Sequence, residues 1–383
     1  MLARRMRLLG LTNAYPPGSP GGYSEIAADV MEGLAARGHG STMLVARMPA
    51  YAGLHPDAGT DGGVRVRREL DYVLAAWRRP LPAWRAVRND RGVLASALEA
   101  ERPDAAVVWH MRGVVKSPLD LLHDARIPVF YMLHDLWALY EKPGSIYVPW
   151  GRLGTSRMEA EGHVCFVSDW LRDEYARRGF KPARSHVVRA GVDIEKLTGA
   201  RTQPASVPPR KILFAGRIHP DKGLHTVLEA LRRVEHPYEL TVAGRDHVKS
   251  YANRLRATAN ERVRFLGAVP RTEIVRMLGE HDLLIYPSTR PETYGLGILE
   301  AFAAGAIVVS SASGGPAEYV VPAENALTFE PGDAAGLAER LTRLAEEPEL
   351  PPRLVAQGHA TARSLSMDTM IDEVERLLLD ATA

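Results

Sequence analysis

The sequence has almost no cysteine, no long apolar run and almost no net charge. Its 383 residues include one cysteine, Cys165, in a short apolar run, so an internal disulfide is excluded and buried packing is expected. No segment is apolar for the length of a membrane span, and the run after residues 1–7 is too short for a signal sequence. We therefore expect a cytoplasmic protein. A net charge of +2 gives no general reason to expect a nucleic-acid partner.

The length of the chain and its ordinary composition point to two globular domains. A chain of 383 residues exceeds what a single hydrophobic core usually serves. Hydrophobic residues make up 46% of it and charged residues 25%, which is typical of globular proteins. No short-period repeat is present, which argues against a solenoid.

Strand-like and helix-like segments alternate in the first half of the chain. The pattern predicts strands at 7–11, 42–45, 105–109 and 129–133, and helices at 25–37 and 84–99, with Ser24 as the cap of the first helix. The Gly/Pro-rich residues 13–22 form a loop, and the span that leads to Arg67 is less regular. Repetition of strand and helix predicts a parallel, doubly wound α/β sheet.

A Pro-rich segment at 202–209 has the composition of a linker, and the alternation restarts after it. We predict a first Rossmann-like domain over 1–200, a second over 201–365 and a terminal helical segment at 366–383. Two such domains would face each other across a cleft and close about the linker.

The stretch 287–318 carries the strongest functional signal. It follows the apolar run 283–286, predicted to be a buried strand, and it continues into apolar residues at helical spacing from Leu296. Gly295 and the first helical N–H groups then lie at the carboxyl end of a parallel strand, where an anionic ligand would find free donors. Glu292 precedes this helix, and Glu300 lies about one turn into it.

A second loop of this kind follows the predicted strand 211–215. Gly216 would let a ligand approach the backbone, and Arg217 and Lys222 place two cations at the same end of the sheet. A guanidinium and an ammonium group suit a pyrophosphate. The alternative is that both side chains only solvate a loop, and the glutamate loop on the same sheet favours the phosphate site.

The two glutamates allow more than one interpretation. They could be the paired acids of a hydrolase, although such a pair must flank one scissile bond. They could be exposed helix charges. Gly295 and Gly297 beside them favour close approach of a ligand, so we interpret both as hydrogen-bond acceptors for sugar and ribose hydroxyls.

Taken together, these motifs resemble glycosyltransferase family 4. Its members are retaining enzymes that use nucleotide sugars and have two Rossmann-like domains in the GT-B fold. The resemblance rests on the Gly-rich loop, His134-Asp135, Phe166-Val167-Ser168, Gly191-Val192-Asp193, Ala215-Gly216-Arg217 with Lys222, Phe265-Leu266-Gly267, the Glu292-x7-Glu300 frame and residues 314–318. The chain departs from many relatives at Gly244-Arg245-Asp246-His247, which bears on the identity of the donor.

The resemblance implies a role for each matching residue. Gly216, Arg217 and Lys222 would bind the diphosphate, Glu300 with Leu296 the nucleoside, and Glu292 with Thr293, Tyr294 and Gly295 the donor sugar. His134 would reach the donor sugar near its reacting carbon, which makes His134, Glu292, Arg217 and Lys222 the expected catalytic residues. Gly21 and Gly22 would approach the donor phosphate and shape the acceptor side. The last helix would cross back to the first domain.

The expected reaction transfers a hexosyl-type sugar, with retention, from a nucleotide-diphosphate sugar to a small-molecule or glycan acceptor in natural-product or cell-surface glycan biosynthesis. No residues have metal-ligand spacing, so we expect neither a metal nor another cofactor. One alternative is a nicotinamide-dependent oxidoreductase, but the first strand is not followed by a compact G-x-G-x-x-G. Another is a binding subunit without activity, against which the intact Arg217, Lys222 and Glu292 argue.

The acceptor is expected to lie on the first domain. Residues 49–60 and 70–89 are its least regular segments by pattern. The segment 74–85 mixes tryptophan and arginine, which suits a bilayer surface, an acceptor pocket or ordinary packing with solvated arginines. We do not predict membrane contact from it.

Overall fold

The computed structural model describes residues 4–16, 22–47, 58–72, 80–139, 156–201 and 205–383. Its contacts divide the chain into two compact units, the first made of residues 1–190 and 368–383 and the second of residues 191–367. Both are α/β units built on a parallel sheet, as predicted.

The first unit contains eight strands in its described part. They are β1 (Arg7–Thr12), β2 (Gly40–Arg47), β3 (Ala58–Asp61), β4 (Val64–Asp71), β5 (Ala105–Val108), β6 (Val129–Leu133), β7 (His163–Phe166) and β8 (Arg184–Val187). Their order in the sheet is β3-β4-β2-β1-β5-β6-β7-β8, and only the β3–β4 pairing is antiparallel. Because β1 pairs with both β2 and β5, the winding direction reverses at β1. The helices are α1 (Gly22–Ala36), α2 (Pro80–Glu101), α3 (Asp120–Asp124), α4 (Ser156–Glu161) and α5 (Asp169–Arg177).

The second unit is a six-stranded parallel sheet with helices around it. Its strands are β9 (Lys211–Ala215), β10 (Glu239–Ala243), β11 (Val263–Gly267), β12 (Leu283–Tyr286), β13 (Ile307–Ser310) and β14 (Leu327–Thr328), in the order β11-β10-β9-β12-β13-β14. Its helices are α6 (Ile194–Thr198), α7 (Leu224–Leu231), α8 (Lys249–Thr258), α9 (Arg271–Glu280), α10 (Leu296–Ala303), α11 (Ala334–Glu346) and α12 (Leu350–Ser364). The winding reverses at β9, which pairs with both β10 and β12.

The last helix, α13 (Met367–Thr382), belongs almost entirely to the first unit. Glu375 accepts one hydrogen bond from Nη1 of Arg37, at 2.6 Å, and its other carboxylate oxygen lies 2.8 Å from Nε2 of the buried His39. Ile371 and Leu378 of α13 are buried as well. An apolar face and a partly buried ion pair therefore fix this helix against α1.

The boundary between the units differs from the prediction. The chain passes from the first unit to the second at 190/191, not at 200/201, because α6 packs on α9 and α10. The predicted linker also lies within the second unit: the N–H groups of Ser206, Arg210 and Lys211 donate to the carboxylate of Asp282 at 2.7, 2.9 and 3.0 Å. Residues 202–204 lie outside the described residues. The Pro-rich composition predicted a linker, but hydrogen bonds to Asp282 hold the described part of this segment within the second unit.

Two local predictions in the first unit are wrong. Ser24 does not cap α1, which already begins at Gly22 and buries Ser24. The span before Arg67 contains the hairpin β3–β4, which turns at Gly62 and Gly63 with φ of 50° and 81°. Positive φ at both turn residues is the geometry that a two-residue hairpin favours. Residues 48–57 and 73–79 lie outside the described residues, which covers much of the segments that we assigned to the acceptor.

None of the helices in the described part of the chain has the length and hydropathy that a membrane crossing requires.

Candidate functional site

The two loops singled out in the sequence emerge side by side from the second sheet. One follows β9 and contains residues 216–223, and the other follows β12 and contains residues 287–295. The strands are parallel neighbours, with Ile212 opposite Leu283, so both loops leave the same edge. This edge is where the winding direction of the sheet reverses, which is the usual ligand-binding position in open α/β sheets.

Backbone contacts hold the two loops together. The N–H of Thr289 donates to the carbonyl oxygen of Asp221 at 2.8 Å. Gly223 has φ of 68°, and a β-carbon at this position would overlap the carbonyl oxygen of Pro287. Only glycine meets both conditions without strain, so the sequence lets the first loop lie directly against the second.

Lys222 and Glu292 form an ion pair across these loops. Nζ of Lys222 lies 2.5 Å from Oε1 of Glu292, and both side chains are about four-fifths buried. The hydroxyl of Ser288 also donates to Oε1. Burial raises the pKa of Tyr286 well above its usual value, and the carboxylate of Glu292 raises it further. Lys222 and Glu292, one basic and one acidic residue of the two predicted loops, thus contact each other, although 70 positions separate them in the sequence.

The backbone around Glu292 is fixed from the next loop. Its N–H donates to the carbonyl oxygen of Ser313 at 2.9 Å, and its carbonyl oxygen accepts from the N–H of Gly315 at 2.8 Å. The hydroxyl of Tyr319 donates to the carbonyl oxygens of Tyr294 and Gly295. These bonds define the path of the chain into α10. Thr293 and Leu296 are half-buried, whereas Tyr294 and Gly295 are buried.

Arg217 extends from the same edge and is exposed. It has no ion-pair partner among the described residues, unlike Lys222. Partial burial lowers the pKa of the neighbouring His247, and the positive charge of Arg217 lowers it further. Gly216 is half-buried, and its N–H donates to the carbonyl oxygen of Ala243 at 2.9 Å. The loop after β9 therefore presents two cations: Lys222, which is paired with the carboxylate of Glu292, and the exposed Arg217.

Glu300 lies on α10 as predicted, but its ion-pair partner is Arg271, whereas that of Glu292 is Lys222. Its buried carboxylate receives the guanidinium of Arg271, with Nη1 at 3.0 Å from Oε2 and Nη2 against Oε1. Sequence reasoning missed Arg271. A signal was present, because Arg271 follows Pro270 at the start of the helix after β11, and so lies at the same edge of the sheet.

In the first unit, His134 and Asp135 follow β6 at the carboxyl edge of the sheet. Burial lowers the pKa of His134 to about 4, so its imidazole is neutral near pH 7. Burial alone would raise the pKa of Asp135, but hydrogen bonds from His110 and from the Trp137 N–H hold it below its usual value. Gly22 is the first residue of α1, and Gly21 lies outside the described residues.

Sequence reasoning also missed His110, which follows β5 beside β6. Its Nε2 lies 3.1 Å from Oδ2 of Asp135, and its ring stacks on Tyr23 at 4.3 Å. The hydroxyl of Tyr23 donates to Oδ1 of Asn13 at 3.1 Å. One polar chain thus connects the ends of β1, β5 and β6. Its members could be recognised from the sequence only as single residues after predicted strands.

Within the described residues, no group of three or more His, Cys, Asp or Glu side chains has an arrangement that could hold a metal ion. Cys165 is buried and unbonded, as expected, and burial raises the pKa of its thiol.

Comparison with known proteins accounts for both units. Residues 200–361 match the family model of glycosyl transferases group 1, and residues 20–196 match that of Glycosyltransferase Family 4. The chain belongs to glycosyltransferase family 4. The chain is therefore a glycosyltransferase, and the interpretation as a nicotinamide-dependent oxidoreductase is wrong.

Among curated relatives, a glycogen synthase of Mycobacterium tuberculosis is 27% identical over 389 residues, which cover 95% of this chain and 91% of the relative. The lipopolysaccharide core biosynthesis glycosyltransferase LpsE of Rhizobium meliloti is 33% identical over 180 residues, 46% of this chain and 51% of the relative.

Solved structures are similar over nearly the whole chain. A glycosyltransferase of Rickettsia africae has a TM-score of 0.78 at 15% identity and covers 98% of each chain. HepE of Anabaena in complex with UDP-glucose has a TM-score of 0.72 at 21% identity and covers 98% of this chain and 99% of its own. At these identities the similarity establishes the fold, which is the predicted GT-B type.

Proposed function

We propose that this enzyme is a retaining, metal-independent glycosyltransferase. It transfers a hexosyl-type sugar from a nucleotide-diphosphate sugar to a hydroxyl group of a small-molecule or glycan acceptor. The structural neighbours support a nucleotide-sugar donor, since HepE of Anabaena was solved in complex with UDP-glucose.

The observation that carries the proposal is the Lys222–Glu292 pair at the reversal point of the second sheet. A diphosphate placed at this edge would meet the exposed Arg217 and the ammonium group of Lys222. The sugar attached to it would meet the carboxylate of Glu292, which accepts hydrogen bonds from hydroxyl groups. Preorganised charges of this kind are commonly the largest single contribution to catalysis.

The proposed reaction balances without a further reactant. The bond between the anomeric carbon and the diphosphate oxygen breaks, and negative charge grows on the leaving phosphate beside Arg217 and Lys222. The acceptor oxygen forms its bond to the same face of the sugar, and its proton passes to an oxygen of the leaving phosphate. The anomeric configuration is retained because the acceptor attacks from the side from which the leaving group departs.

His134 has the role that the family resemblance implies, a contact to the donor sugar near its reacting carbon. A pKa of about 4 keeps the ring neutral at working pH, so one ring nitrogen can donate to a sugar hydroxyl while the other accepts. A neutral ring also adds no positive charge beside a sugar that becomes positive in the transition state. These properties suit positioning of the donor better than proton transfer.

A donor screen tests the proposal. Thermal shifts with UDP, GDP, ADP, TDP and NAD identify the nucleotide, because a ligand that binds only the native state raises the melting temperature. The matching nucleotide sugars are then incubated with acceptor pools in the presence of EDTA, and products are detected by mass spectrometry. NMR of the product gives the anomeric configuration. Stabilisation by NAD alone, an inverted product or loss of transfer with EDTA would contradict the proposal.

A further inference from the structure

A groove between α2 and β4 of the first unit has no part in the proposed reaction. It encloses about 620 Å³, which is within the range of roughly 300 to 1,000 Å³ that small-molecule sites occupy. Residues at helical spacing on α2 form one wall, and alternate residues of β4 form the other. Its lining includes Arg67 and Glu69 from β4 and Arg85, Arg88, Asn89 and Gly92 from α2.

The groove is separate from the part of the first sheet that carries His134. The strands β2, β1 and β5 lie between β4 and β6. Four strand spacings of about 4.8 Å place β4 roughly 19 Å from β6, after which His134 follows. A ligand in the groove would therefore not occupy the position assigned to the donor sugar.

Hydrogen bonds fix the two walls of the groove relative to each other. The N–H of Asp71, at the end of β4, donates to the carboxylate of the buried Asp90 on α2 at 2.8 Å. The side-chain amide of Asn89 donates to the carbonyl oxygen of Glu69 at 3.3 Å. Because both bonds join the helix to the strand, the fold itself sets the width of the groove.

The groove carries more positive than negative charge. Arg67 donates from Nε and Nη2 to the two carboxylate oxygens of Glu69, both at 2.9 Å, so this pair is neutral as a whole. Arg85 and Arg88 are exposed, and neither has a hydrogen-bond or ion-pair partner in the part of the chain that the structure describes. Two guanidinium groups are therefore left without a counter-charge.

The spacing of Arg85 and Arg88 suits a single phosphate group. Residues three apart on a helix have β-carbons about 5–6 Å from each other, so both guanidinium groups can reach the same anion. A guanidinium binds phosphate through two parallel N–H bonds, and a phosphomonoester carries nearly two negative charges at pH 7. A carboxylate carries only one. The two uncompensated cations therefore match a phosphomonoester.

Gly92 leaves the wall of the groove open one turn after Arg88. Glycine inside a helix destabilises it relative to alanine. A β-carbon at Gly92 would meet no atom within 4 Å, and Gly92 does not have a positive φ. Neither packing nor backbone conformation requires glycine at this position, whereas a ligand that approaches the helix closely would.

We propose that the groove between α2 and β4 is a second ligand site, which binds a phosphomonoester between Arg85 and Arg88. The phosphate is that of a soluble phosphorylated sugar or alcohol, or that of a lipid headgroup, since both present the same dianion. Arg85, the last residue of the segment 74–85, then has a ligand as its partner. The site is independent of the proposed donor site, because none of its residues lies at the edge of the second sheet.

Calorimetry with glycerol 3-phosphate and the full-length enzyme tests the site. We expect a dissociation constant of about 1 mM or below for the wild type, and about 10- to 100-fold weaker binding for R88Q, because hydrogen bonds between charged groups are lost. R91Q is the matched control, since Arg91 is exposed on the same helix and its charge acts on Asp120 of α3. It should bind like the wild type.

G92L tests the groove without removing a charge. Leucine favours the helix and meets open space at this position, so the melting temperature should not fall. Its side chain would occupy the wall beside Arg88, and binding of glycerol 3-phosphate should be lost. K222A should keep the affinity of the wild type, which separates this site from the donor site.

Vesicles identify the source of the phosphate. Phosphatidylcholine vesicles that contain phosphatidic acid present a phosphomonoester, whereas those that contain phosphatidylglycerol present a phosphodiester. Binding to the first kind alone, weakened by R88Q but not by R91Q, would assign the site to a lipid headgroup; binding of glycerol 3-phosphate without vesicles would assign it to a soluble ligand. No binding of either probe by the wild type, equal losses in R88Q and R91Q, or a loss in K222A alone would overturn the inference.

Discussion

The two units end their sheets in chemically different ways. At the carboxyl edge of the second sheet, two carboxylates are each bound to a cation, Glu292 to Lys222 and Glu300 to Arg271. At the corresponding edge of the first sheet, Asp135 is hydrogen-bonded to His110, which stacks on Tyr23. The second sheet thus ends in two carboxylate–cation pairs, whereas the first ends in a carboxylate that is hydrogen-bonded to a histidine.

This difference fits the two halves of a transfer reaction. In the proposed reaction the donor diphosphate brings negative charge, and the second unit offers it Lys222, which is held by Glu292, and the exposed Arg217. The acceptor hydroxyl and the sugar ring bring dipoles rather than charge, and in the proposal they would meet His134, whose ring burial keeps neutral by lowering its pKa to about 4. The predictions below test whether the charge chemistry is specific to the second unit.

The largest effect is expected from removing the ammonium group of Lys222, in the loop after β9. Lys222→Ala should lower kcat by roughly 10²- to 10³-fold, because it removes a preorganised charge beside the leaving phosphate and leaves Glu292 without its cation. Initial rates of sugar transfer measure this. Lys211→Ala is the matched control, since the exposed Lys211 is the first residue of β9, at the end of the strand opposite to the loop that carries Lys222. Similar rates for both variants would contradict a donor site at this edge.

A smaller loss is expected when only the charge of the acid is removed. Glu292→Gln keeps the size of the side chain but weakens hydrogen bonds from sugar hydroxyls, so transfer should fall by about 10- to 100-fold. The exposed Glu324, changed to Gln in the same way, should leave the rate unaltered. Comparable kcat/KM values in the two variants would mean that Glu292 serves only the fold.

The histidines of the first unit should make its stability depend on pH. Burial lowers the folded-state pKa of both His134 and His163 to about 4. Between pH ~6.5 and ~4 the unfolded chain therefore binds protons that the folded unit does not, and unfolding is favoured as the pH falls. This stability is fully present above pH ~6.5.

Replacing His163, which lies outside the proposed site, isolates this effect. His163→Gln should show a smaller drop in Tm between pH 7.5 and pH 5 than the wild type, by a few degrees. Differential scanning calorimetry at both pH values gives the comparison. Equal drops in the two proteins would show that His163 does not titrate as proposed.

The smallest effects should be alike in the two units, because their helix caps use the same chemistry. Ser168 accepts from the Leu171 N–H at the start of α5, and Asp333 accepts from the Gly336 N–H at the start of α11. Ser168→Ala and Asp333→Ala should each cost about 1 kcal/mol of unfolding free energy without changing the KM for the donor. Urea denaturation measures the first quantity. A large change in the KM for the donor in the Asp333 variant alone would extend the donor site towards α11.

Much of the fold could be predicted because buried parallel strands have a clear pattern. Segments such as 211–215 and 283–286 are apolar runs closed by glycine or proline, and they appear in the structure with the predicted bounds. The strand Val64–Asp71 was missed because five of its eight residues are charged, three of them in a row from Arg67 to Glu69, and only Val64, Val66 and Leu70 are buried. Such an interrupted alternation is a weaker sequence signal for a strand than a continuous apolar run.

The sequence predicted which loops form the candidate site, but it did not predict which side chains pair with each other there. The neighbouring positions of β9 and β12 follow from the fold class, so Lys222 and Glu292 could be expected at one edge. That Glu300 faces Arg271 depends on how α9 packs against α10, which no local pattern encodes. The chain from Tyr23 through His110 to Asp135 is similar, because it joins residues from three separate elements.

The central claim is that the donor binds at the edge formed by the loops after β9 and β12. Hydrogen–deuterium exchange, with and without the nucleoside diphosphate that gives the largest thermal shift, tests it most directly. We predict that peptides covering 216–223 and 287–300 become protected on binding. Protection confined to peptides of the first unit, with these two loops exchanging at unchanged rates, would contradict the claim.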